Sequence, residues 1–129
     1  MGIFSLTTPK KRDTARVAAL VTAWYREHAR AAFARSLISA LAKFPKLQKA
    51  PPQLRLRTMP KRWGSCTKRG VIYLNPELIQ APPSCIDYVI THELCHLLHP
   101  NHGHAFYALL QIVLPDWQSR KSRLERSSI

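Results

Sequence analysis

Fifteen residues constrain this chain more than any others: His92-Glu93-Leu94-Cys95-His96-Leu97-Leu98-His99-Pro100-Asn101-His102-Gly103-His104-Ala105-Phe106. Pro82 and Pro83 stop any earlier element, and Pro100 ends a helix at or before His99. Between these breaks, Ile86, Val89, Ile90, Leu94, Leu97 and Leu98 recur at helical spacing. The spacing predicts a helix over about 84–99, buried on most sides. Ser84 is its candidate N-cap, with Asp87 three residues on completing a capping box. His92 and His96 are four apart and share one face of that helix, one turn from each other.

Two imidazoles at that spacing can share one zinc ion, and Glu93, beside the first, can reach water at the metal. This His-Glu-x-x-His pattern is the signature of metal-dependent peptidases and related hydrolases. A catalytic zinc takes three protein ligands and keeps one position open. His102 is the preferred third ligand, because the Pro100-Asn101 break lets the chain turn back. His99, on roughly the same helix face, is the main rival, although a straight helix carries it away along the axis. His104 and the downstream carboxylates Asp116 and Glu125 complete the alternatives.

With 129 residues and 46% apolar content, the chain suits one compact domain over 13–129, preceded by an irregular basic tail over 1–12. No apolar run approaches a membrane span, so no membrane partner is expected. Three cysteines, Cys66, Cys85 and Cys95, are an odd number without paired metal spacing, which suits a cytoplasmic location better than a disulfide scaffold. Twenty Lys and Arg against seven Asp and Glu give a formal charge of +13. Such a chain attracts polyanions, so nucleic acid or a nucleic-acid-bound protein is a candidate partner. No recognised nucleic-acid motif accompanies the charge.

Ahead of the histidine segment, a long helix is expected from Asp13 or Thr14 to about Phe44, with an apolar stripe of Val17, Leu20, Val21, Trp24, Ala31, Ile38 and Leu41, widened on one side by Phe33, Leu37 and Phe44. His28 falls on that stripe and reads as a packed histidine. After a Pro-bearing linker, Leu54–Met59 alternates as a strand. Arg62–Cys66 and Val71–Leu74 flank the turn Thr67–Gly70 and read as a hairpin. Asn75 caps a short turn from Pro76 to Gln80. A helix from near Gly103 carries Phe106, Leu109, Leu110 and Val113, and a basic amphipathic segment with Trp117 and Leu124 follows Pro115. Long helix, small antiparallel sheet with a hairpin, metal helix and supporting C-terminal helices make an α+β arrangement. A free sheet edge beside the metal helix could take an extended peptide as an extra strand.

Several stretches together resemble the YgjP-like family of predicted metal-dependent hydrolases, related to the SprT-like and WLM zincins. They are Trp24–Glu27, Arg62-Trp63-Gly64-Ser65-Cys66, Ile72–Asn75, Ile86–Val89, His92–His96, Asn101-His102 and Leu114–Trp117, in the family's order. The resemblance implies a minimal zincin fold, zinc ligands at His92, His96 and His102, and Glu93 as catalytic acid/base. Two departures stand out. Relatives usually carry a β-rich segment ahead of the long helix, which puts substrate choice in doubt, and Tyr107 stands where the family usually has Trp.

The expected chemistry is peptide or amide hydrolysis by metal-activated water on a peptide or protein substrate. A second oxyanion stabiliser is expected from among Tyr107, His99, His104 and Arg62. Trp63, Gly64 and Ser65 either line the cleft or only shape the hairpin. The rival reading is a non-enzymatic zinc module that binds nucleic acid or protein. Glu93 argues against it, since a purely structural site has no need of that carboxylate.

Overall fold

The computed structural model describes residues 11–126. Helix α1 spans Lys11–Leu41 and a single turn, α2, spans Pro45–Gln48. Strands β1 (Gln53–Leu56), β2 (Gly64–Cys66) and β3 (Val71–Leu74) follow, then a 3-10 turn at Pro76–Gln80. Helices α3 (Pro83–Leu98), α4 (His104–Val113) and α5 (Trp117–Arg126) complete the described chain. No helix among the described residues is long and apolar enough to cross a membrane. Residues 1–10 of the expected basic tail lie outside the described residues. The chain is already helical at Lys11, so Asp13 sits inside α1 and does not cap it.

The α+β class is the observed one, but the sheet is mixed, where an all-antiparallel one was expected. Its order is β1-β3-β2, with β3 central. The hairpin forms as expected, pairing β2 antiparallel to β3 with Gly64 opposite Leu74 and Cys66 opposite Ile72. Gly70 closes the turn at φ 88°, in the left-handed region that a residue without Cβ adopts at no steric cost. β1, however, runs parallel to β3, with Leu54 beside Ile72 and Leu56 beside Leu74. Those pairings lay four apolar side chains on one face. Local pattern sets which residues face the core, while the partner and direction of β1 are decided by the crossover through residues 57–63.

Asn75 anchors that crossover. It is buried, and every polar group of its amide is used. Its Nδ2 donates to the carbonyls of Met59 (2.7 Å) and Arg62 (3.2 Å), and its Oδ1 accepts from the Glu77 N–H. Its own backbone N–H donates to the Trp63 carbonyl at 2.9 Å. One side chain thus caps the 3-10 turn and pins the segment that leads into β2.

The core joins Phe33, Leu37 and Phe44 to Ile72 and Leu74 of the sheet, to Ile90 and Leu94 of α3, and to Phe106 and Leu110 of α4. Burying each such side chain contributes about 1.5–3 kcal/mol. The buried line of α1 is Ala29, Phe33, Leu37 and Ala40, which runs through the expected flank of the apolar face and not along its expected stripe. Leu20 and Trp24 of the expected stripe are exposed because the buried line of α1 begins only at Ala29, and Ile38 is exposed although its neighbour Leu37 is buried. His28 is exposed too and stacks on Trp24 at 4.6 Å, so it is no core residue.

Helix α3 is the central element, packed against α1, α4, α5 and β2. The expected capping box at Ser84 and Asp87 does not form. Pro82 is the N-cap and Pro83 the first helical residue, with no side-chain cap. Asp87 instead accepts a hydrogen bond from Ser36 of α1 and lies 3.9 Å from Arg120 of α5. Arg120 also donates to the Ser84 carbonyl at 3.1 Å. A side chain expected to cap its own helix therefore ties that helix to two others.

Candidate metal centre

Tyr88, His92 and His96 are spaced four apart, so α3 presents them on one face. His99 ends the helix in extended conformation, and the chain turns back through Pro100 and Asn101. That return sets the His102 ring 4.2 Å from His96 and 5.3 Å from His92. One ring nitrogen from each of His92, His96 and His102 lies within 4.8 Å of the other two. The Nε2 atoms of His92 and His102 are 3.3 Å apart. Two nitrogens bound tetrahedrally at about 2.0–2.1 Å from one zinc ion stand about that far apart.

Protonation favours ligation as well. Burial, then the neighbouring His96 and His102, holds His92 down at about 4. His96 is likewise lowered, chiefly by burial and then by His102. His96 Nδ1 lies 3.2 Å from the Pro100 carbonyl. Donating there fixes the tautomer and leaves Nε2 free to ligate. His92 Nδ1 is buried without a hydrogen-bond partner, a further reason for that ring to stay neutral. His92 and His96, favoured as neutral, converge with His102 on one point, a set of nitrogen donors that fits a divalent metal. Phe106, fully buried one turn into α4, supports all three rings from below at centroid distances of 5.0, 4.6 and 4.9 Å.

Glu93 is buried beside this cluster. Burial pushes its carboxyl up to about 7; the hydrogen-bonded Cys66 thiol and the charge of Arg62 pull the other way. Burial and Glu93 raise Cys66 in turn to about 11, so the thiol stays protonated and can donate. Glu93 fits there because β2 has no side chain at Gly64. A Cβ on Gly64 would lie 3.1 Å from Leu74 Cδ2, 3.1 Å from Val89 Cγ1 and 3.3 Å from Glu93 Cγ. Gly64→Ala should therefore lower stability by about 1–3 kcal/mol, as overpacking a close contact does. Thermal denaturation checks this, and an unchanged midpoint would contradict the tight fit.

The cluster opens into a cleft of about 630 Å³ walled on one side by β2. A smaller cleft of about 330 Å³ adjoins it past Arg62 and Gly64, lined also by Trp63, Tyr88 and Leu124. Of the candidate site residues, Arg62 lines both clefts and Ser65 the larger, its hydroxyl 3.9 Å from Met59 sulfur. Trp63 lines the smaller cleft, so that segment both shapes the hairpin and faces the site. The other candidates do not line the larger cleft. His99 closes α3, its N–H donating to Cys95, and His104 is exposed at the start of α4. Asp116 pairs with Arg120 at 2.9 Å. Glu125 lines only the smaller cleft. Tyr107 is exposed, its ring 6.2 Å from His102 and 5.6 Å from Trp117. Cys66, Lys68 and Tyr88 also face these clefts. Tyr88 shares the four-residue spacing of His92 and His96, and Cys66 belongs to the Trp-Gly-Ser-Cys run; spacing gave no cue to Lys68.

Two imidazoles and a buried carboxylate on α3, a third imidazole returned by the segment after it, and a small sheet packed alongside define a metallopeptidase-type domain. The chain belongs to the YgjP-like family: that family's metallopeptidase-domain model matches residues 3–127. The fold is similar to the metallopeptidase zymogen of Pyrococcus abyssi abylysin, with 21% identity over 75% of this chain and 99% of that one, at a TM-score of 0.65. It is similar also to the metallopeptidase zymogen of Methanocaldococcus jannaschii jannalysin, with 17% identity over 98% of each chain and a TM-score of 0.60. No curated protein matches the chain.

Proposed function

We propose that this chain is a zinc-dependent peptidase in which His92, His96 and His102 hold one ion and Glu93 is the general base and acid. The observation that carries this reading is the convergence of three ring nitrogens within 4.8 Å, directly beside a buried carboxylate in an open cleft. Zinc suits three nitrogen donors with one open position, and its Lewis acidity lowers the pKa of water towards about 7 and polarises a carbonyl.

Glu93 takes a proton from the water that attacks the peptide carbonyl carbon. As the C–N bond breaks, the same carboxyl hands that proton to the departing amine. A group whose burial raises its proton affinity towards neutrality suits both transfers. Cys66 and Gly64 hold it in place, the first by a hydrogen bond and the second by leaving room. β2 is the sheet edge next to the site, so an extended substrate can pair along it. Arg62 lines both clefts and brings its positive charge near Glu93, where it can contact a bound substrate. The charge of +13 favours protein substrates that are acidic or bound to nucleic acid.

The test is hydrolysis of a broad fluorogenic peptide mixture by the purified chain. Activity should accompany about one zinc per chain, disappear on chelation and return when zinc is restored. Hydrolysis indifferent to chelation would contradict the proposal.

A further inference from the structure

We propose that the cleft selects acidic segments of its substrate, with Arg62 and Lys68 binding carboxylate side chains on either side of the scissile bond. This rests on the peptidase reading above and names the substrate class. The two cations stand symmetrically about the edge strand: Arg62 lies two residues before Gly64 and Lys68 two residues after Cys66. Both line the cleft that holds His92, Glu93 and His96. Both are exposed, and neither makes an ion pair among the described residues.

Their backbones are anchored. The Arg62 carbonyl accepts from buried Asn75 at 3.2 Å. Lys68 sits in a turn closed by hydrogen bonds from Gly70 N–H to the Thr67 carbonyl (3.1 Å) and from Val71 N–H to Thr67 Oγ1 (3.2 Å). The only carboxylate lining this cleft is Glu93, which is buried, so at the cleft mouth the cationic side chains outnumber the carboxylates. In the neighbouring cleft Lys121 is accompanied by Glu125.

A peptide paired along β2 at about 3.3 Å per residue runs past both cations. Its carboxylates would meet them at the two ends of the strand. Single-stranded nucleic acid fits less well. It is gripped by aromatic side chains on which bases stack, and no Phe, Tyr or Trp lines the larger cleft.

The experiment uses the full chain with Glu93→Gln, so that binding is read without turnover. Two fluorescein-labelled ten-residue peptides are compared by anisotropy, one with Glu on both flanks of a central apolar pair and one with Gln at the same positions. Two exposed ion pairs predict binding of the Glu peptide about three- to tenfold tighter at low salt, with the difference shrinking as salt rises. Adding Lys68→Glu or Arg62→Ala should reduce that ratio. The salt dependence of the parent tests the same claim without relying on either change. Equal affinity for the two peptides would overturn the proposal. A single-stranded oligonucleotide that binds this cleft while the peptides are not distinguished would overturn it in favour of nucleic acid. The native chain then separates this claim from the one beneath it. Cleavage without acidic preference defeats the specificity alone, whereas acidic preference without cleavage leaves the specificity standing and defeats the peptidase reading.

Discussion

Replacing Glu93 by Gln should lower peptide turnover by about 10²–10⁴-fold, the range for a positioned acid or base, while leaving zinc affinity within a few fold. Gln keeps the shape of the side chain but cannot take up a proton, so the fall should appear in kcat with KM little changed. The same change should stabilise the metal-free protein. Burial raises Glu93 from the ordinary carboxylate range to about 7 in the folded chain. Between those values the folded state keeps a proton that the unfolded chain has released, so stability is lost as pH rises through this window. Gln carries no charge, so the variant's advantage should be near zero at about pH 4.5 and level off above pH 7, at up to about 3 kcal/mol. Thermal denaturation of metal-free protein across pH 4.5–8 measures it. A variant no more stable than the parent at pH 8, or one with full turnover, would remove Glu93 from the role assigned to it.

His96→Ala and His102→Ala should each weaken zinc binding by more than about 100-fold. Losing a partner that merely orients a ligand already costs about 10–100-fold, and these changes remove ligands outright. His99→Ala should bind zinc like the parent, because His99 lies at the helix end, outside the converging group. Titration against a competing chromophoric chelator gives the affinities. A second readout is thermal: zinc at about 100 times its Kd should stabilise the parent by about 2.7 kcal/mol, and the His96 and His102 variants far less. If His99→Ala lost zinc while His102→Ala kept it, the ligand assignment would be wrong.

Much of this site was legible because its determinants are local. Four-residue spacing placed His92 and His96 on one face, and Pro100 forced the reversal that returns His102 to them. The hairpin was legible for the same reason, since a turn with Gly70 and two apolar runs are contiguous signals. What escaped was settled at a distance. Asp87 satisfied every local rule for a cap but found Ser36 and Arg120 across the fold. The direction of β1 depends on a crossover pinned by Asn75, which a strand's own alternation does not encode. On α1 the buried line runs through Phe33 and Leu37, the flank of the expected face, while Leu20 and Trp24 of the expected stripe stay exposed, since amphipathic spacing does not say which part of a long helix is covered. Cys66 is separated from Glu93 by 27 positions, so only the pairing of β2 against α3 brings the thiol to the carboxylate.

The most direct test of the metal site is X-ray absorption spectroscopy of the chain loaded with one equivalent of zinc. Three imidazole nitrogens at about 2.0–2.1 Å plus one light-atom ligand from solvent are predicted, with one nitrogen lost in His102→Ala. A sulfur in the coordination shell, a fourth protein ligand closing the site, or folded protein that takes up no zinc would contradict it.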